Sequence, residues 1–243
     1  MDEVLVADGV RKRYGDVTAL DGVSLSVAGG EVFGLIGPNG AGKTTTVNLI
    51  TGELTPTSGT IEFDGTDLVG RSPSAIARQG IGRSFQVVQY FPEMTVREHL
   101  RLAVRDSTET VRSVFNREED YEPQIRAVAE RVHLEDDLDT VAKNLAHGKK
   151  RFLDIAMVLG MDSRVILFDE PAAGLNQSET DEVKEILESL RGEYTVLIVE
   201  HDVDLVRSIS DRITVLHNGA VLTTDTPENV VENPQVKEVY LGE

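Results

Sequence analysis

The sequence predicts an α/β fold into which a helical segment is inserted. Short apolar runs at 31–36, 165–168 and 196–199 are typical of buried strands, and helical patterns separate them. The first run leads through a glycine-rich loop into a helix. From about 91 to about 159 the apolar spacing is helical, which places a helical segment between two parts of the α/β core.

The first part of the chain is predicted to be β structure. The run at 23–27 alternates apolar and polar residues, as an antiparallel strand with one solvated face does. Gly29 and Gly30 then turn the chain into the strand at 31–36. The predicted strands before and after that turn are 4–6, 18–20, 23–27 and 60–65.

Local signals predict the remaining elements. Ser72 followed by Pro73 begins a short helix, and Thr95 with Glu98 forms a capping box. Residues 106–122 are polar and indicate a loop or a marginal helix. The predicted helices are 44–51, 72–80, one from 95, 125–132, 149–159, 179–190, 203–209 and one from 226. The later predicted strands are 165–168, 195–199, 213–216 and 221–223.

Composition limits the class of protein. The 243 residues suit one large domain or a core with a subdomain, and 40% hydrophobic content is enough for a sizeable core. No apolar run approaches the ~20 residues of a membrane-spanning helix, and we expect no secretory signal at the N-terminus. Cysteine is absent, which excludes disulfides and thiolate metal sites. We expect a cytoplasmic protein.

The chain is strongly acidic. Its formal net charge is −18, and only seven of its 24 cationic residues are lysines. Such a surface repels nucleic-acid phosphates and argues against a nucleic-acid partner. It suits solubility at high salt, which favours a salt-adapted source; an ordinary acidic cytosolic protein is the alternative.

The loop after the strand at 31–36 matches the phosphate-binding pattern, in which a glycine, four residues and a second glycine precede Lys and Ser/Thr. The helix at 44–51 stops at Gly52, so the context is strand, loop and helix. Backbone N–H groups and a helix N-terminus then surround one anion, which predicts a nucleotide site. Lys43 would reach the β- and γ-phosphates, and Thr44 would bind Mg²⁺. The predicted nucleotide-binding residues are Gly37, Pro38, Asn39, Gly40, Ala41, Gly42, Lys43, Thr44 and Thr45.

Polar residues end the other buried strands. Asp169 and Glu170 follow the strand at 165–168, at the sheet edge that carries the phosphate loop. Asp169 is predicted to hold Mg²⁺, and Glu170 to polarise the attacking water. His201 emerges from the next such strand and would donate to the γ-phosphate. Gln86, after a short apolar segment, is a candidate for contact with the metal or the water.

These residues resemble the motifs of ATP-binding-cassette (ABC) ATPases over essentially the full chain. Residues 37–45 are similar to Walker A, 165–170 to Walker B with its catalytic glutamate, Gln86 to the Q-loop and His201 to the switch histidine. The resemblance implies binding and hydrolysis of ATP with Mg²⁺. It also implies one cassette over 1–243, with an antiparallel β subdomain and a RecA-like core. The implied core is approximately 1–86 and 160–243, and the helical subdomain is approximately 87–159.

The family resemblance extends to three further elements. Tyr14 stands where the family has an aromatic that stacks on adenine; a strand-edge core residue is the alternative. Gly174, Leu175 and Asn176 correspond to the D-loop, with Asn where Asp is usual. In the family two cassettes dimerise head to tail, so each ATP lies between one chain's Walker motifs and the other's signature loop.

The signature loop departs from the family pattern. Leu145, Ala146, His147, Gly148 and Lys149 occupy the Leu-Ser-Gly-Gly-Gln position, so the hydroxyl and the first glycine are lost. Three cations from Lys149 onward stand at a helix N-terminus, where the macrodipole disfavours each by ~0.3–1 kcal/mol. We hypothesise that Lys149 faces the partner's γ-phosphate; a solvated basic rim is the alternative.

A narrower resemblance is to the first of two ATPase subunits of branched-chain amino acid importers. The similar segments are 83–86, 91–96, 169–176 and 239–242. It implies a second ATPase subunit (or a second copy of this chain), two permeases and, indirectly, an extracytoplasmic solute-binding protein. The chain would lie on the inner face of the membrane. Apolar contacts to the permeases are expected from Val88, Tyr90, Phe91 and Met94; a place in the core of the helical subdomain is the alternative for these residues.

Other functions remain open at this level. Importers of urea or short amides and exporter or lipid-extraction ATPases use nearly the same cassette. A soluble non-transport cassette protein is opposed by the acidic charge and by the lack of a second cassette or a long coiled-coil insertion. A small-molecule kinase would have no reason to carry Glu170, His201 and the element at 145–149 together.

Overall fold

A computed structural model of the chain describes residues 2–84, 90–104 and 121–241. Two β-sheets form its framework. The smaller is antiparallel and has the strand order β2-β1-β4-β5. Its strands are β1 (Glu3–Tyr14), β2 (Val17–Ala28), β4 (Ser58–Phe63) and β5 (Thr66–Asp67).

The larger sheet has six strands in the order β10-β9-β3-β8-β7-β6. Five of them run parallel, and only β10 pairs antiparallel, at the edge. The phosphate loop follows a central strand, with one parallel neighbour on each side. The strands are β3 (Val32–Ile36), β6 (Ile81–Arg83), β7 (Val165–Asp169), β8 (Thr195–Val199), β9 (Arg212–His217) and β10 (Ala220–Asp225).

Nine α-helices lie in the part of the chain that the structure describes. Two 3₁₀ turns, Glu135–Asp137 and Ala142–Asn144, lie between α4 and α5, and the first of them matters for the site below. The helices are α1 (Lys43–Ile50), α2 (Pro73–Ala77), α3 (Val96–Val104), α4 (Glu122–Arg131), α5 (His147–Leu159), α6 (Gln177–Ser189), α7 (Val203–Ile209), α8 (Pro227–Glu232) and α9 (Pro234–Leu241). None of the helices in these ranges is long and apolar enough to cross a membrane.

The parallel sheet is buried on both faces, which explains its uninterrupted apolar strands. Ile166 and Phe168 of β7 belong to a core cluster that includes α3, α4 and α5. Leu167, between them, belongs to a second cluster with the antiparallel sheet. A strand whose successive side chains enter different cores cannot alternate apolar with polar residues.

Most helices and four of the five parallel strands were predicted close to their observed bounds. Strand β6 was not predicted, α8 and α9 were predicted as one helix, and the N-terminal strands were misplaced. In place of short strands at 4–6, 18–20 and 23–27, one hairpin of two twelve-residue strands runs from Glu3 to Ala28. Register shifts near Gly9, which has φ 56°, allow the bent strand to continue. The half of the hairpin nearest its turn is mostly exposed and polar, so its sequence pattern resembles that of a loop.

The helical segment contains two helix starts that the sequence predicted. The capping box of α3 is confirmed, since the Thr95 N–H donates to Glu98 Oε2 at 2.7 Å and the Glu98 N–H to Thr95 Oγ1 at 3.2 Å. Helix α5 begins at His147 rather than at 149, because the preceding turn already places Ala146 as its N-cap. Most of the polar stretch predicted at 106–122 lies outside the described residues.

Candidate active site

Four adjacent strands of the parallel sheet end at one edge, in the order β3, β8, β7 and β6. The phosphate loop follows β3, and His201 follows β8 by two residues. Asp169 ends β7 and Glu170 follows it. Parallel strands carry whatever follows them to the same edge, so the phosphate loop, His201 and the acidic pair converge there as predicted.

The phosphate loop is shaped by glycine. Gly42 is the N-cap of α1 with φ 109°, and no side chain caps the helix. A Cβ at this position would lie 3.2 Å from the Ala19 carbonyl oxygen and closer still to the Leu20 side chain. The loop therefore packs directly on β2, and the first N–H groups of α1 have no side-chain acceptor, as an anion-binding helix N-terminus requires.

Lys43 lies within this loop and is 7% exposed. Its Nζ donates to the Gly37 carbonyl at 2.6 Å and to the Pro38 carbonyl at 3.3 Å. Burial lowers the pKa of Lys43, while the charges of Glu170 and Asp169 act to raise it. The ammonium is thus held by its own loop next to the two carboxylates, and it has one N–H donor beyond the two that bind carbonyls.

A cavity of about 400 Å³ opens over the loop. Its described lining comprises Val17, Thr18 and Ala19 of β2, the loop residues 39–45, and Glu170. That volume is in the range of small-molecule sites. Glu170 and the phosphate loop therefore share one cavity.

Tyr14 does not belong to that described lining. It is 48% exposed, and Lys12 Nζ lies 5.1 Å from the centroid of its ring. Val17, across the hairpin turn, is 66% exposed and does line the cavity. The stacking role of Tyr14 stays a prediction, and Val17 is a second candidate for contact with the base.

Asp169 is buried, with 2% exposure. Its Oδ2 accepts a hydrogen bond from Arg83 at 3.0 Å, and its backbone N–H donates to Ser84 Oγ at 3.4 Å. Burial raises the pKa of Asp169, and the bond to Arg83 opposes that rise. The carboxylate predicted to hold the metal is therefore compensated by a cation from β6.

Glu170 has φ 52°, an unusual conformation for a residue that is not glycine. Its N–H still donates to the Val199 carbonyl at 2.8 Å, so the conformation is held by β8. Backbone strain of this kind costs about 1–3 kcal/mol and is concentrated at functional sites. The strained residue is the one predicted to activate water.

Glu200 lies beneath the predicted switch histidine and was missed as a site residue. It is 1% exposed and accepts from the backbone N–H groups of Ala172 at 3.0 Å and His201 at 3.2 Å. Its Oε2 lies 3.5 Å from His201 Nδ1, and Glu170 Oε1 lies 4.0 Å from the same nitrogen. Burial raises the pKa of Glu200. Its signal in the sequence was a carboxylate directly after a buried strand, the same signal that identified Asp169.

The altered signature loop forms a separate patch. Leu145 is buried, Ala146 and His147 are exposed, and Gly148 is buried against Glu179 of α6, whose side chain occupies the place of a Cβ. Gly174 of the predicted D-loop lies beside His147, because a Cβ on Gly174 would stand 3.4 Å from His147 Nε2. None of 145–149 is in the described lining of the nucleotide cavity.

Asn176 of the D-loop has a structural role that explains its identity. It is the N-cap of α6, with the Glu179 N–H donating to Asn176 Oδ1 at 3.1 Å and the Asn176 N–H donating to Glu179 Oε2 at 3.0 Å. Asn and Asp cap equally well, so the departure from the family's Asp keeps the helix start. Leu175, before it, is half-buried.

Lys149 has an intramolecular partner that the sequence did not indicate. Its Nζ forms an ion pair with Asp137 of the 3₁₀ turn. Lys150 Nζ lies 5.7 Å from the ring centroid of Tyr90, and Arg151 is paired with Asp154 at 3.6 Å. The anion expected opposite these cations is thus supplied, for Lys149, by this chain. That removes the electrostatic reason for placing a partner's phosphate there, and the γ-phosphate contact of Lys149 stays a prediction.

Gln86 and Val88 lie outside the described residues. Among the others, the structure brings Lys43, Asp169, Glu170 and His201 to one sheet edge. Thr44 is an exposed residue at the start of α1, and Asp169 is buried. The hydroxyl of Thr44 and the carboxylate of Asp169 are both oxygen ligands, the type that Mg²⁺ prefers. A glycine loop, an uncapped helix N-terminus and a buried lysine fit a polyphosphate. Fold and site define a P-loop nucleotide-binding protein.

Comparison with known proteins specifies the class. The family model described as "ABC transporter" matches residues 20–173. The high-affinity branched-chain amino acid transport ATP-binding protein BraF of Pseudomonas aeruginosa is 42% identical, over 99% of this chain and 98% of that protein. The corresponding protein LivG of Escherichia coli is 40% identical over the same shares.

A solved structure agrees with the sequence relatives. The ADP conformation of an ATP-binding cassette of an ABC transporter superposes with a TM-score of 0.86, at 32% identity and over the whole of both chains. The chain belongs to the ABC transporter family, in which it is an ATP-binding cassette. The predicted family and fold class are confirmed.

Proposed function

We propose that this chain is the ATP-hydrolysing subunit that energises an importer of branched-chain amino acids. The observation that carries the proposal is the cavity over the phosphate loop, in which Lys43 and Glu170 face one space. The substrate class rests on relatives such as BraF, whose name states high-affinity branched-chain amino acid transport and which is similar over 99% of this chain.

Each site residue takes one role in this proposal. The backbone N–H groups of Gly40–Thr45 and the ammonium of Lys43 bind and orient the phosphates, while Tyr14 or Val17 contacts the base. Mg²⁺, held by Thr44, Asp169 and Gln86, would neutralise phosphate charge.

The residues beside the phosphate loop carry out the proton transfer and the hydrogen bonding to phosphate. Glu170, 4.0 Å from His201 Nδ1, accepts the proton of the attacking water. His201 donates a hydrogen bond to the terminal phosphate, and buried Glu200 fixes the backbone on which His201 stands. Removing Glu170's carboxylate therefore removes the base without removing the phosphate cradle.

The nucleotide cavity is half of a shared site in this proposal. Residues 145–149 and 174–176 lie together outside its lining, where a second ATPase subunit or a second copy of this chain can meet them. The chain forms one cassette over 1–243, with its core approximately at 1–86 and 160–243 and its helical subdomain approximately at 87–159. A partner with an intact signature loop would make the site on Lys43 the faster of the two.

The permeases dock beside the helical subdomain. Phe91 is 58% exposed there, and Tyr90 and Met94 are half-buried near it. His99, fully buried, accepts the Phe91 N–H at Nε2 with a distance of 2.9 Å and so holds the loop in place. The chain would then lie on the inner face of the membrane, with a solute-binding protein on the other side.

Reconstitution in vesicles tests the function. The chain, a second ATPase subunit, two permeases and the solute-binding protein are assembled, and ATP-dependent uptake of leucine is compared with uptake of urea. Leucine uptake is expected, and its loss in Glu170→Gln but not in Glu185→Gln, an exposed acid on α6, assigns the energy source to this site. Urea uptake without leucine uptake would refute the substrate class.

Lys149 has its own test. Because Asp137 already neutralises it, Lys149→Gln separates two roles. A contact with the partner's γ-phosphate predicts slower turnover at the partner's ATP in the assembled dimer. Unchanged turnover would leave Lys149 as half of an ion pair within this chain.

A further inference from the structure

Arg83, the last residue of β6, joins three parts of the site. Its side chain is only 10% exposed. One terminal nitrogen, Nη2, lies 3.0 Å from Asp169 Oδ2. The other, Nη1, lies 2.7 Å from Asn48 Oδ1 and 3.0 Å from a carboxylate oxygen of Glu53. One guanidinium therefore contacts the end of β7, helix α1 and the turn that follows α1.

We propose that Arg83 is a positioning residue that fixes the metal-binding orientation of Asp169 relative to the phosphate loop. A buried carboxylate needs a compensating partner, and Arg83 supplies it on Oδ2. With Oδ2 engaged, the carboxylate cannot rotate freely, and its other oxygen is the one left for a metal or a metal-bound water. The inference rests on the proposed function, since it assumes that Asp169 meets the metal of a bound nucleotide.

The contact between Arg83 and α1 fixes the position of Asp169 relative to the phosphate loop. Asn48 lies on the same helix that begins with Lys43 and Thr44, so Arg83 ties Asp169 to the element that holds the phosphates. Arg83 also begins the chain segment that leads to Gln86, three residues later. Two of the predicted metal contacts, Thr44 and Asp169, are thereby set relative to each other by one side chain.

The geometry requires arginine rather than a single positive charge. A guanidinium presents donors in a rigid planar fork and can hold two acceptors at fixed angles, whereas a lysine ammonium is a point charge on a flexible stem. Arg83→Lys keeps the charge near Asp169 but cannot hold both Asp169 and Asn48 in the same way. Arg83→Gln removes the charge and keeps polarity.

Equilibrium binding separates positioning from general stability. In a Glu170→Gln background, which prevents turnover, the affinity for ATP is measured with EDTA and with Mg²⁺. The ratio of the two affinities reports what the metal adds. Residues that orient a metal's ligands typically contribute 10–100-fold to metal affinity, so Arg83→Gln should reduce the ratio by about tenfold or more. Arg83→Lys should restore part of it.

A matched control and a folding measurement complete the test. Arg164→Gln removes an exposed arginine that pairs with Asp64 away from the site, and it should leave the ratio unchanged. Melting without nucleotide shows whether each variant folds. If Arg83→Gln does not fold, the affinity ratio of Arg83→Lys is compared with that of the protein with intact Arg83, and a smaller ratio is expected. An equal loss of affinity with EDTA and with Mg²⁺, or an unchanged ratio, would overturn the role of Arg83. If Mg²⁺ does not raise the affinity for ATP even in the protein with intact Arg83, the result would instead contradict the proposed metal site.

Discussion

Asp154 should make the helical segment less stable as the pH rises. It lies on α5, is 5% exposed, and is 3.6 Å from Arg151. Burial raises the pKa of Asp154 from 3.8 to about 6, although Arg151 acts to lower it. The folded chain therefore holds a proton at this carboxyl that the unfolded chain has already released.

The difference in bound protons between the folded and the unfolded chain sets how the free energy of unfolding changes with pH. Between 3.8 and about 6 the folded state binds more protons than the unfolded state, so the free energy of unfolding falls as pH rises through that window. At about 1.36 kcal/mol for each pKa unit, the ionised form costs about 3 kcal/mol above the window. From about pH 4.5 to about pH 7 this group should lower stability by about 2 kcal/mol.

Urea unfolding of the intact chain and of Asp154→Asn at both pH values measures the effect. The asparagine cannot ionise, so the difference between the two proteins should shift by about 2 kcal/mol between about pH 4.5 and about pH 7. Asp162→Asn, an exposed acid just beyond α5, is the control and should show no such shift. A difference that is the same at both pH values would show that burial does not raise the pKa of Asp154.

Three other predictions concern the cap, the base contact and the surface. Asn176→Ala should destabilise the chain by about 1 kcal/mol in urea unfolding through loss of the capping box, whereas Asn176→Asp should be nearly neutral; equal losses would contradict the capping role. Val17→Ser should weaken ATP binding more than Tyr14→Ser if the cavity lining determines the base contact, and the reverse order would favour stacking on Tyr14. The net charge of −18 predicts that the melting temperature rises between dilute and molar KCl, and a flat series would exclude salt adaptation.

Much of the site was predictable because its signals are local. The phosphate loop is a contiguous pattern with a strand before it and a helix after it. Asp169, Glu170 and His201 could be placed together because parallel strands deliver their ends to one edge.

What could not be predicted depends on packing between distant segments. Lys149 meets Asp137 only because the 3₁₀ turn folds back on α5, and Arg83 meets Asn48 only because β6 ends beside α1. The burial of Glu200 is likewise a property of the assembled sheet. In the hairpin β1–β2, the exposed half lacks the alternation of apolar and polar residues that predicts a strand, so the two strands were predicted too short.

We infer that the cavity on Lys43 and Glu170 binds ATP within one chain but hydrolyses it only when another chain completes the site. The most direct measurement is ATP turnover per chain while the total concentration is varied and the second ATPase subunit is titrated in. Turnover should be low for dilute chain alone and should rise on formation of a dimer, with Glu170→Gln abolishing the rise. Full turnover per chain that is independent of concentration, in a sample shown to be monomeric, would contradict the claim.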